Sequence, residues 1–268
     1  MEQLFAKNVT KKYIGELKMI TTLPNPLYKV GYKEYRRAHL YTVGEKTFPS
    51  VTKILGIIGG GKTNALVIWA RREALKLAKA EILGYIDAGK ALTHVALDEL
   101  IQRADRQPDK VKDTAADLGT RVHNAIDAYI MGTSPVLDAD AEKGFNNFMA
   151  WIKEQALELI AGDTIVASVQ CGYGGRLDAI ARKQSGRLVL LDWKTSNALR
   201  DEYPLQVAAY AQAFKETYGL PIDEAIVVRF GKDKADDFEA REVNLEKAWL
   251  AFTAAHSLSL GMGKELWV

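Results

Sequence analysis

The sequence predicts an α/β fold in which helices flank a mixed sheet of about five strands and a helical lobe occupies the N-terminal part. Two observations support this prediction. Between Asn64 and Ile160 apolar residues recur at helical spacing, whereas after Gly162 the chain changes to short runs typical of strands. One further helical stretch divides those runs, so the order is helices, three strands, helix, two strands and a final helix.

The first part of the chain predicts a hairpin followed by helices. His39–Val43 and Phe48–Leu55 flank the turn-forming Gly44-Glu45-Lys46, which is typical of a hairpin. The polar Asp105–Asp109 stretch predicts a loop, and Asp138 is placed to N-cap the last helix before the sheet. The helices of this part are expected at residues 64–83, 87–104, 113–130 and 138–160.

The second part of the chain predicts the sheet itself. The turn Gln184-Ser185-Gly186 joins the second and third strand-like runs, so this pair is expected to be antiparallel. Pro204 lies near the start of the next helix, where proline is tolerated. The strands are expected at residues 164–169, 174–182, 187–193, 225–230 and 238–243, and the remaining helices at residues 204–218 and 245–260.

The composition, with 48% hydrophobic and 26% charged residues, is that of a globular chain. No run reaches the roughly 20 apolar residues that cross a bilayer, and the first seven residues lack the apolar core of a signal peptide. Cys171 is the only cysteine, which excludes an intrachain disulfide and a four-cysteine zinc or iron–sulfur site. We therefore expect an intracellular protein that does not enter a membrane.

Charge is spread unevenly along the chain. Residues 1–60 hold ten Lys or Arg and four Asp or Glu, although the net charge of the whole chain is only +2. The stretch Tyr28–Arg37 interleaves tyrosines with cations, a pattern that can neutralise phosphates and stack on unpaired bases. A solvated strand pair whose tyrosines pack on the core explains the same pattern, and the residues alone leave both interpretations open.

Two carboxylates stand on neighbouring predicted strands. The apolar run Arg187–Leu191 leads into Asp192-Trp193-Lys194, and side chains alternate along a strand, so Asp192 and Lys194 share a face. Antiparallel pairing with the preceding strand can place Asp178 beside Asp192. Two carboxylates and an amine at one strand edge could bind Mg²⁺ and activate water. They could equally form a salt-bridged strand end in which Lys194 neutralises both aspartates.

These residues belong to longer motifs. Gly174–Asp178 reads Gly-Gly-Arg-Leu-Asp, Leu190–Ser196 reads Leu-Leu-Asp-Trp-Lys-Thr-Ser, and Pro204–Tyr210 reads Pro-Leu-Gln-Val-Ala-Ala-Tyr. The series resembles the signature of the PD-(D/E)XK nuclease superfamily, in its RecB-like exonuclease branch. It is most similar to the mitochondrial genome maintenance exonuclease and its phage and bacterial relatives. The upstream segment Gly119–His123 is similar to that family's G-x-x-x-H pattern.

The resemblance implies a role for each matching residue. The metal ligands would be His123, Asp178, Asp192 and the backbone carbonyl of Trp193. Lys194 would act with Asp192 and Asp178 in catalysis by assisting the attacking water. Gln206 and Tyr210, which the i, i+4 spacing places on one helix face, would line the site. The residues that would contact DNA are Arg176, Thr195, Ser196, Gln206 and Tyr210.

The resemblance also implies a fold and an activity. It implies a restriction-endonuclease-like core and a DNA exonuclease that needs Mg²⁺ or Mn²⁺, acts at single-stranded ends and does not consume ATP. A double-strand exonuclease of the phage recombination type is a close variant, so the DNA partner is a single-stranded or duplex end. No organic cofactor is implied, and a cytoplasmic protein of bacterial or phage origin is expected. Residues 1–110 would form a hairpin and helical lobe beside the DNA, residues 111–268 the nuclease core, and both one compact unit.

One departure from the family pattern concerns the strand before Asp178. Many relatives carry a glutamate there, whereas Ile165–Gln170 holds no acidic residue. We therefore expect this strand to contribute no metal ligand.

Two other functions compete with the nuclease. Gly56–Thr63 matches the P-loop pattern G-x-x-x-x-G-K-[ST] of ATPases, which requires a buried parallel strand before the loop. The preceding Ser50–Leu55 places Thr and Lys among its apolar residues, unlike such a strand. The third candidate is a catalytically inactive nuclease fold that only binds DNA.

Overall fold

The computed structural model describes residues 23–35, 38–58, 60–196, 198–230 and 238–262, without the side chains of residues 60–66 and 111–119. The cations predicted to contact phosphate in residues 1–22, together with Arg36 and Arg37, lie outside the described residues.

A small antiparallel sheet precedes the helices. Its strands are β1 (Gly31–Tyr35), β2 (Ala38–Val43) and β3 (Lys46–Pro49), in the order β1-β2-β3. The turn between β2 and β3 contains Gly44, whose φ of 58° is the left-handed conformation that glycine adopts without steric cost. The predicted hairpin is therefore confirmed at this turn.

A five-stranded sheet forms the centre of the fold. Its strands are β4 (Glu158–Ser168), β5 (Tyr173–Arg182), β6 (Leu188–Thr195), β7 (Glu224–Phe230) and β8 (Phe238–Glu242), and they lie in this order across the sheet. Neighbouring strands are antiparallel except for the parallel pair β6–β7, which a crossover helix connects. This arrangement confirms the mixed sheet of five strands.

The described part of the chain contains six α-helices. A short 3₁₀ turn, Gly56–Ile58, follows the first of them. The helices are α1 (Val51–Leu55), α2 (Gly60–Asp87), α3 (His94–Ile130), α4 (Ala139–Glu154), α5 (Glu202–Tyr218) and α6 (Leu245–Gly261).

The strand predicted over Phe48–Leu55 is wrong in its second half. The chain turns into α1 because the Ser50 side chain accepts a hydrogen bond from the Lys53 backbone N–H at 3.1 Å. Val51, Ile54 and Leu55 then bury one helical face, which alternation along a strand would have divided.

The loop predicted over Asp105–Asp109 is also wrong. The residues are helical, and the two helices expected on either side form the single 37-residue α3 with Pro108 inside it. Polar side chains suit an exposed helical turn as well as a loop, so their composition did not separate the two structures.

The helix that Asp138 N-caps begins as predicted but ends at Glu154 rather than near Ile160. Ala156 adopts a φ of 49°, which is incompatible with a continuing right-handed helix. The chain therefore enters β4 at Glu158, earlier than the expected Thr164.

Two apolar layers enclose the five-stranded sheet. Helices α1, α5 and α6 pack on one face, with Leu188 and Leu190 of β6 among the buried residues of that layer. Helix α4 and the last part of α3 pack on the other, with Val189, Leu191 and Trp193. The alternation of β6 between the two layers fixes which way its charged residues point.

The chain divides into two compact units. One comprises the chain up to Ile57 and from Leu118 onward, and the other is Ile58–Asp117. The N-terminal sheet belongs to the first of these units. The expected parts 1–110 and 111–268, together one compact unit, stay a prediction. Within the second unit, Arg103 of α3 forms an ion pair with Glu81 of α2 at 2.5 Å.

None of the described helices combines the length and apolar character needed to cross a membrane.

Candidate active site

The central strand β6 ends in the two charged residues of the predicted site. Because Leu188 and Leu190 face the layer of α5, Asp192 and Lys194 continue on that side. Asp192 is only 1% exposed. Its Oδ2 lies 2.5 Å from the Nζ of Lys194. The sheet thus buries a carboxylate and an ammonium together where the apolar part of the strand ends.

Asp178 reaches the same place from β5. The pairing of β5 with β6 ends at Ala179 opposite Leu191, which leaves Asp178 beside the start of the Asp-Trp-Lys segment. Its Oδ2 accepts a hydrogen bond from the Trp193 backbone N–H at 2.7 Å. Leu177 and Ile180 belong to the same apolar layer although they are three residues apart, so side-chain alternation breaks at Asp178. The structure therefore brings the two predicted carboxylates together.

His123 approaches from α3. Its Nδ1 lies 3.9 Å from Oδ1 of Asp178, and its ring stands nearly perpendicular to the Trp193 indole at 6.3 Å between centroids. Burial and the neighbouring Lys194 lower the pKa of His123, although Asp192, Asp127 and a backbone hydrogen bond with Trp193 act in the opposite direction. The imidazole is therefore neutral at physiological pH, which is the form that binds metals.

The two aspartates are costly to ionise where they lie. Burial raises the pKa of Asp178 to about 6, against the lowering effect of Lys194. Burial likewise raises the pKa of Asp192 to about 6. Burial lowers the pKa of Lys194, but both aspartates outweigh it and the net pKa is raised above 10.5. At neutral pH one ammonium faces two carboxylates, so the cluster carries a net negative charge.

This donor set fits a divalent cation. The carboxylates of Asp178 and Asp192 and the carbonyl of Trp193 are hard oxygen donors, and His123 adds the kind of nitrogen that Mn²⁺ accepts. A cation would offset the buried negative charge that Lys194 leaves uncompensated. Within the described ranges, no three His, Cys, Asp or Glu side chains are yet placed to hold a metal together. The candidate ligands therefore lie near one another without forming a complete coordination sphere.

Gln206 and Tyr210 lie on one face of α5, as their spacing predicted. The Gln206 amide donates to the Tyr210 hydroxyl at 2.6 Å. Burial and the charge of Asp192 hold the pKa of Tyr210 well above 10, so the phenol stays neutral. A Cβ on Gly175 would lie 2.2 Å from the Tyr210 ring. The Gly-Gly-Arg-Leu-Asp motif therefore needs glycine here to let α5 approach β5.

The predicted substrate residues after Lys194 have different surroundings. Ser196 donates through Oγ to the Ala198 carbonyl at 2.8 Å, and its own carbonyl accepts from Nη1 of buried Arg229 at 3.0 Å. The Thr195 hydroxyl is buried and finds no hydrogen-bond partner among the described residues. Ser196 thus holds the end of β6 in place.

The strand before Asp178 begins earlier than predicted, so it includes acidic residues that Ile165–Gln170 lacks. The expectation that this strand contributes no metal ligand stays a prediction. β4 begins at Glu158 and includes Asp163, which stands opposite Asp178 because Gly162 pairs with Ala179 and Thr164 with Leu177. Asp163 has a φ of 46° and forms a 3.0 Å ion pair with Arg176. Asp163 lies one residue before the predicted start of this strand at Thr164. The apolar residues before Gly162 are the signal that the strand extends further back.

Two further residues near the site were not predicted. Asp127 lies one turn after His123 on α3, and burial followed by the charge of Asp163 raises its pKa. The His123–Asp127 spacing of four residues was the available signal. Tyr203 of α5 lies with its ring centroid 5.4 Å from the Nζ of Lys194.

The P-loop interpretation lacks its structural requirement. The segment that should enter Gly56–Thr63 as a buried parallel strand is helix α1. Glycine 59 lies outside the described residues.

Parts of the chain are similar to known proteins. Solved structures that resemble the chain include SSO0001 (TM-score 0.31, 14% identity, 59% of this chain and 66% of that chain). A second is a candidate exonuclease from Eubacterium rectale (TM-score 0.35, 15% identity, 56% of this chain and 69% of that chain). A third is an alkaline exonuclease from Laribacter hongkongensis (TM-score 0.29, 14% identity, 55% of this chain and 87% of that chain). No curated protein matches the chain. A family model matches residues 68–256, a segment that contains every predicted site residue, and the chain belongs to the PD-(D/E)XK nuclease superfamily.

Proposed function

We propose that the protein is a DNA exonuclease that depends on Mg²⁺ or Mn²⁺ and hydrolyses phosphodiester bonds at single-stranded ends without ATP. The observation that carries the proposal is the meeting of Asp178, Asp192 and Lys194 at one end of β5 and β6, with His123 beside them. Membership of the nuclease superfamily supplies the hydrolytic chemistry. The choice of exonuclease action at single-stranded ends rests on the RecB-like motif from Asp178 to Tyr210.

Four groups of this chain would hold the cation: the His123 imidazole, the Asp178 and Asp192 carboxylates and the Trp193 carbonyl. When bound, a divalent cation neutralises the scissile phosphate and lowers the pKa of water. Asp178 is already oriented, because the Trp193 backbone N–H holds one of its oxygens. The other oxygen faces His123.

Lys194 acts on charge and orientation in this proposal. Its raised pKa means that it carries a proton at neutral pH, so it donates hydrogen bonds rather than accepting the proton of water. An ammonium beside the scissile phosphate stabilises the negative charge that grows as the phosphorus–oxygen bond breaks. The Tyr203 ring lies beside this ammonium and helps to fix its position.

The substrate strand would lie over the exposed side of these groups. Arg176 offers a guanidinium to the DNA backbone, and Gln206, held by Tyr210, offers a polar edge from α5.

The test is digestion of end-labelled single- and double-stranded oligonucleotides in Mg²⁺, Mn²⁺ or EDTA. We expect stepwise shortening of single strands in either metal and none in EDTA. Lys194→Ala should abolish cutting while DNA binding persists, whereas the control Lys62→Ala, in the P-loop-like segment, should cut normally.

Other outcomes would contradict the proposal. Loss of activity in Lys62→Ala together with ATP consumption would establish an ATPase. Binding of DNA without cutting in either metal would establish a DNA-binding module.

A further inference from the structure

We propose that the β1–β2 hairpin is a stacking surface for unpaired bases of the substrate, formed by Tyr32 and His39 with Arg176 beside them. This inference rests on the proposed function and deepens it, because it names the residues that would make the enzyme prefer single strands. We call these three side chains the stacking surface.

The hairpin is fixed to the strand that carries Asp178. Tyr41 of β2 is buried against Gly174 of β5, where a Cβ would come within 2.3 Å of the tyrosine. Ser50 forms a bridge with the same glycine. Because Gly174 lies four residues before Asp178 on one strand, the hairpin and the candidate active site share a single rigid support.

The aromatic side chains of the hairpin lie in a row from buried Tyr41 through Tyr32 to exposed His39. In the β1–β2 register Tyr32 pairs with Tyr41, and Glu34 with His39, so these side chains share one face. The Tyr32 ring lies 5.6 Å from that of buried Tyr41 and 5.8 Å from the His39 ring, and the planes of the Tyr32 and His39 rings differ by 21°. Tyr32 is half-buried and His39 is exposed. The Tyr32 hydroxyl also hydrogen-bonds to Nδ1 of His39, which orients the outer ring.

Packing explains Tyr41 but does not explain His39. An exposed imidazole held parallel to a tyrosine ring buries little apolar surface. The same arrangement presents a flat, oriented ring to solvent, which is what an unpaired base needs for stacking. In an intact duplex the faces of the bases are already stacked on one another, so the surface selects single-stranded nucleic acid.

Arg176 connects the aromatic series to the site. Its guanidinium carbon lies 5.2 Å from the Tyr32 ring centroid, and its Nε forms a 3.0 Å ion pair with Asp163. The side chain is still 46% exposed. Arg176 precedes Asp178 by two residues, a distance of about 7 Å along a strand. A nucleotide with its base on His39 can therefore place a phosphate near this guanidinium and close to the candidate metal ligands.

The opposite face of the hairpin provides an internal control. Tyr35 lies three residues after Tyr32, so alternation points it away from the stacking surface, and it is 59% exposed. Both positions are tyrosines on the same strand, and Tyr32 is the one that lies beside Arg176. Tyr32→Ala and Tyr35→Ala remove the same side chain from the two faces, so any difference in DNA binding between the variants reports on the face.

The experiment measures DNA affinity separately from cutting. In the Lys194→Ala protein with EDTA, fluorescence anisotropy gives the dissociation constants for a labelled oligothymidylate and a labelled blunt duplex. Tyr32→Ala and His39→Ala should each weaken single-strand binding by about 5- to 150-fold, the range that loss of one base stack produces. Duplex binding should stay unchanged, and Tyr35→Ala should affect neither DNA.

Equal losses in Tyr32→Ala and Tyr35→Ala, or parallel losses for both DNAs, would overturn the inference. Tyr32→Phe keeps the ring and should retain most single-strand affinity, which separates stacking from a fault in folding.

The failure of this inference is distinguishable from that of the proposed function. A protein that cuts DNA in Mn²⁺ but binds oligothymidylate normally as Tyr32→Ala refutes only the stacking surface. A protein that never cuts, yet loses single-strand affinity in that variant, refutes only the exonuclease.

Discussion

The two ends of β6 both bury charge, but with opposite balance. Near its start, the largely buried Glu224 carboxylate lies within ion-pair distance of Lys183 and Arg187, so two cations face one carboxylate. Near its end, Asp178 and Asp192 share Lys194, so two carboxylates face one cation. The first cluster is satisfied by the protein itself. The second retains negative charge that a ligand can neutralise, and this difference distinguishes a structural ion pair from a candidate metal site.

The largest expected effect contrasts a lysine from each end. Lys194→Ala should lower the rate of nucleotide release in Mn²⁺ by about 10²–10³-fold or more, because the charge that grows on the leaving oxygen loses its preorganised partner. Lys183→Ala, at the structural end, should cut at the wild-type rate. Initial rates on a labelled single strand measure both. Similar rates in the two variants would remove the distinction between the ends.

Neutralising one carboxylate at each end should change stability in opposite directions. In EDTA, Asp178→Asn should raise the free energy of unfolding by roughly 1–2 kcal/mol, because it removes a buried charge whose pKa is raised by burial. Glu224→Gln should lower it by roughly 1–3 kcal/mol, because two cations lose their counter-charge. Urea titrations measure both variants. A loss of stability in Asp178→Asn would show that its carboxylate is compensated without a cation.

The same carboxylates should give the metal-free protein a distinctive pH dependence. Asp178 and Asp192 have folded pKa values of about 6, above the 3.8 of the unfolded chain, so the folded state binds more protons between these values. Their contribution to stability is therefore lost as pH rises from about 4 through about 6. Chemical unfolding in EDTA across this range should show the loss in the wild type and not in the double variant Asp178→Asn/Asp192→Asn. Identical profiles for the two proteins would contradict the raised pKa values.

The smallest expected effect on the rate comes from Arg229, which holds the end of β6 that carries the candidate site. Arg229 donates to the Ser196 carbonyl at 3.0 Å and pairs with Glu239 at 3.2 Å. Arg229→Gln should lower kcat by about tenfold with little change in KM, because displacement of Lys194 affects the transition state more than binding. Arg241→Gln, which removes an exposed partner of the same Glu239, is the control and should be silent. A rise in KM alone would mean that Arg229 contributes to DNA binding instead.

The parts of the fold that follow from local pattern were predictable. The strand Leu188–Thr195 combines a continuous apolar run with a polar end, and the turn before it fixes its pairing with β5. From this, the shared face of Asp192 and Lys194 followed by alternation, and the antiparallel pairing with β5 placed Asp178 near them. The parallel pairing of β6 with β7 depends on the crossover through α5, which lies beyond the range of local rules.

The sequence-based predictions were wrong where the same local sequence pattern fits two different structures. Asp105–Asp109 has the composition of a loop and of an exposed helical turn. Asp163 was missed because a glycine before it suggested a boundary, whereas β4 continues through an irregular backbone with a positive φ. The meeting of His123 with Asp178 was inferred from family resemblance, since 55 residues separate them along the chain and no spacing rule reaches that far.

The most direct test of the central claim is a crystal structure with Mn²⁺, in which anomalous scattering locates the cation. We expect one strong peak bonded to the carboxylates of Asp178 and Asp192, the His123 imidazole and the Trp193 carbonyl. A peak elsewhere, or an empty site at saturating Mn²⁺ with Asp192 still bound to Lys194 alone, would show that this cluster is a second structural ion pair.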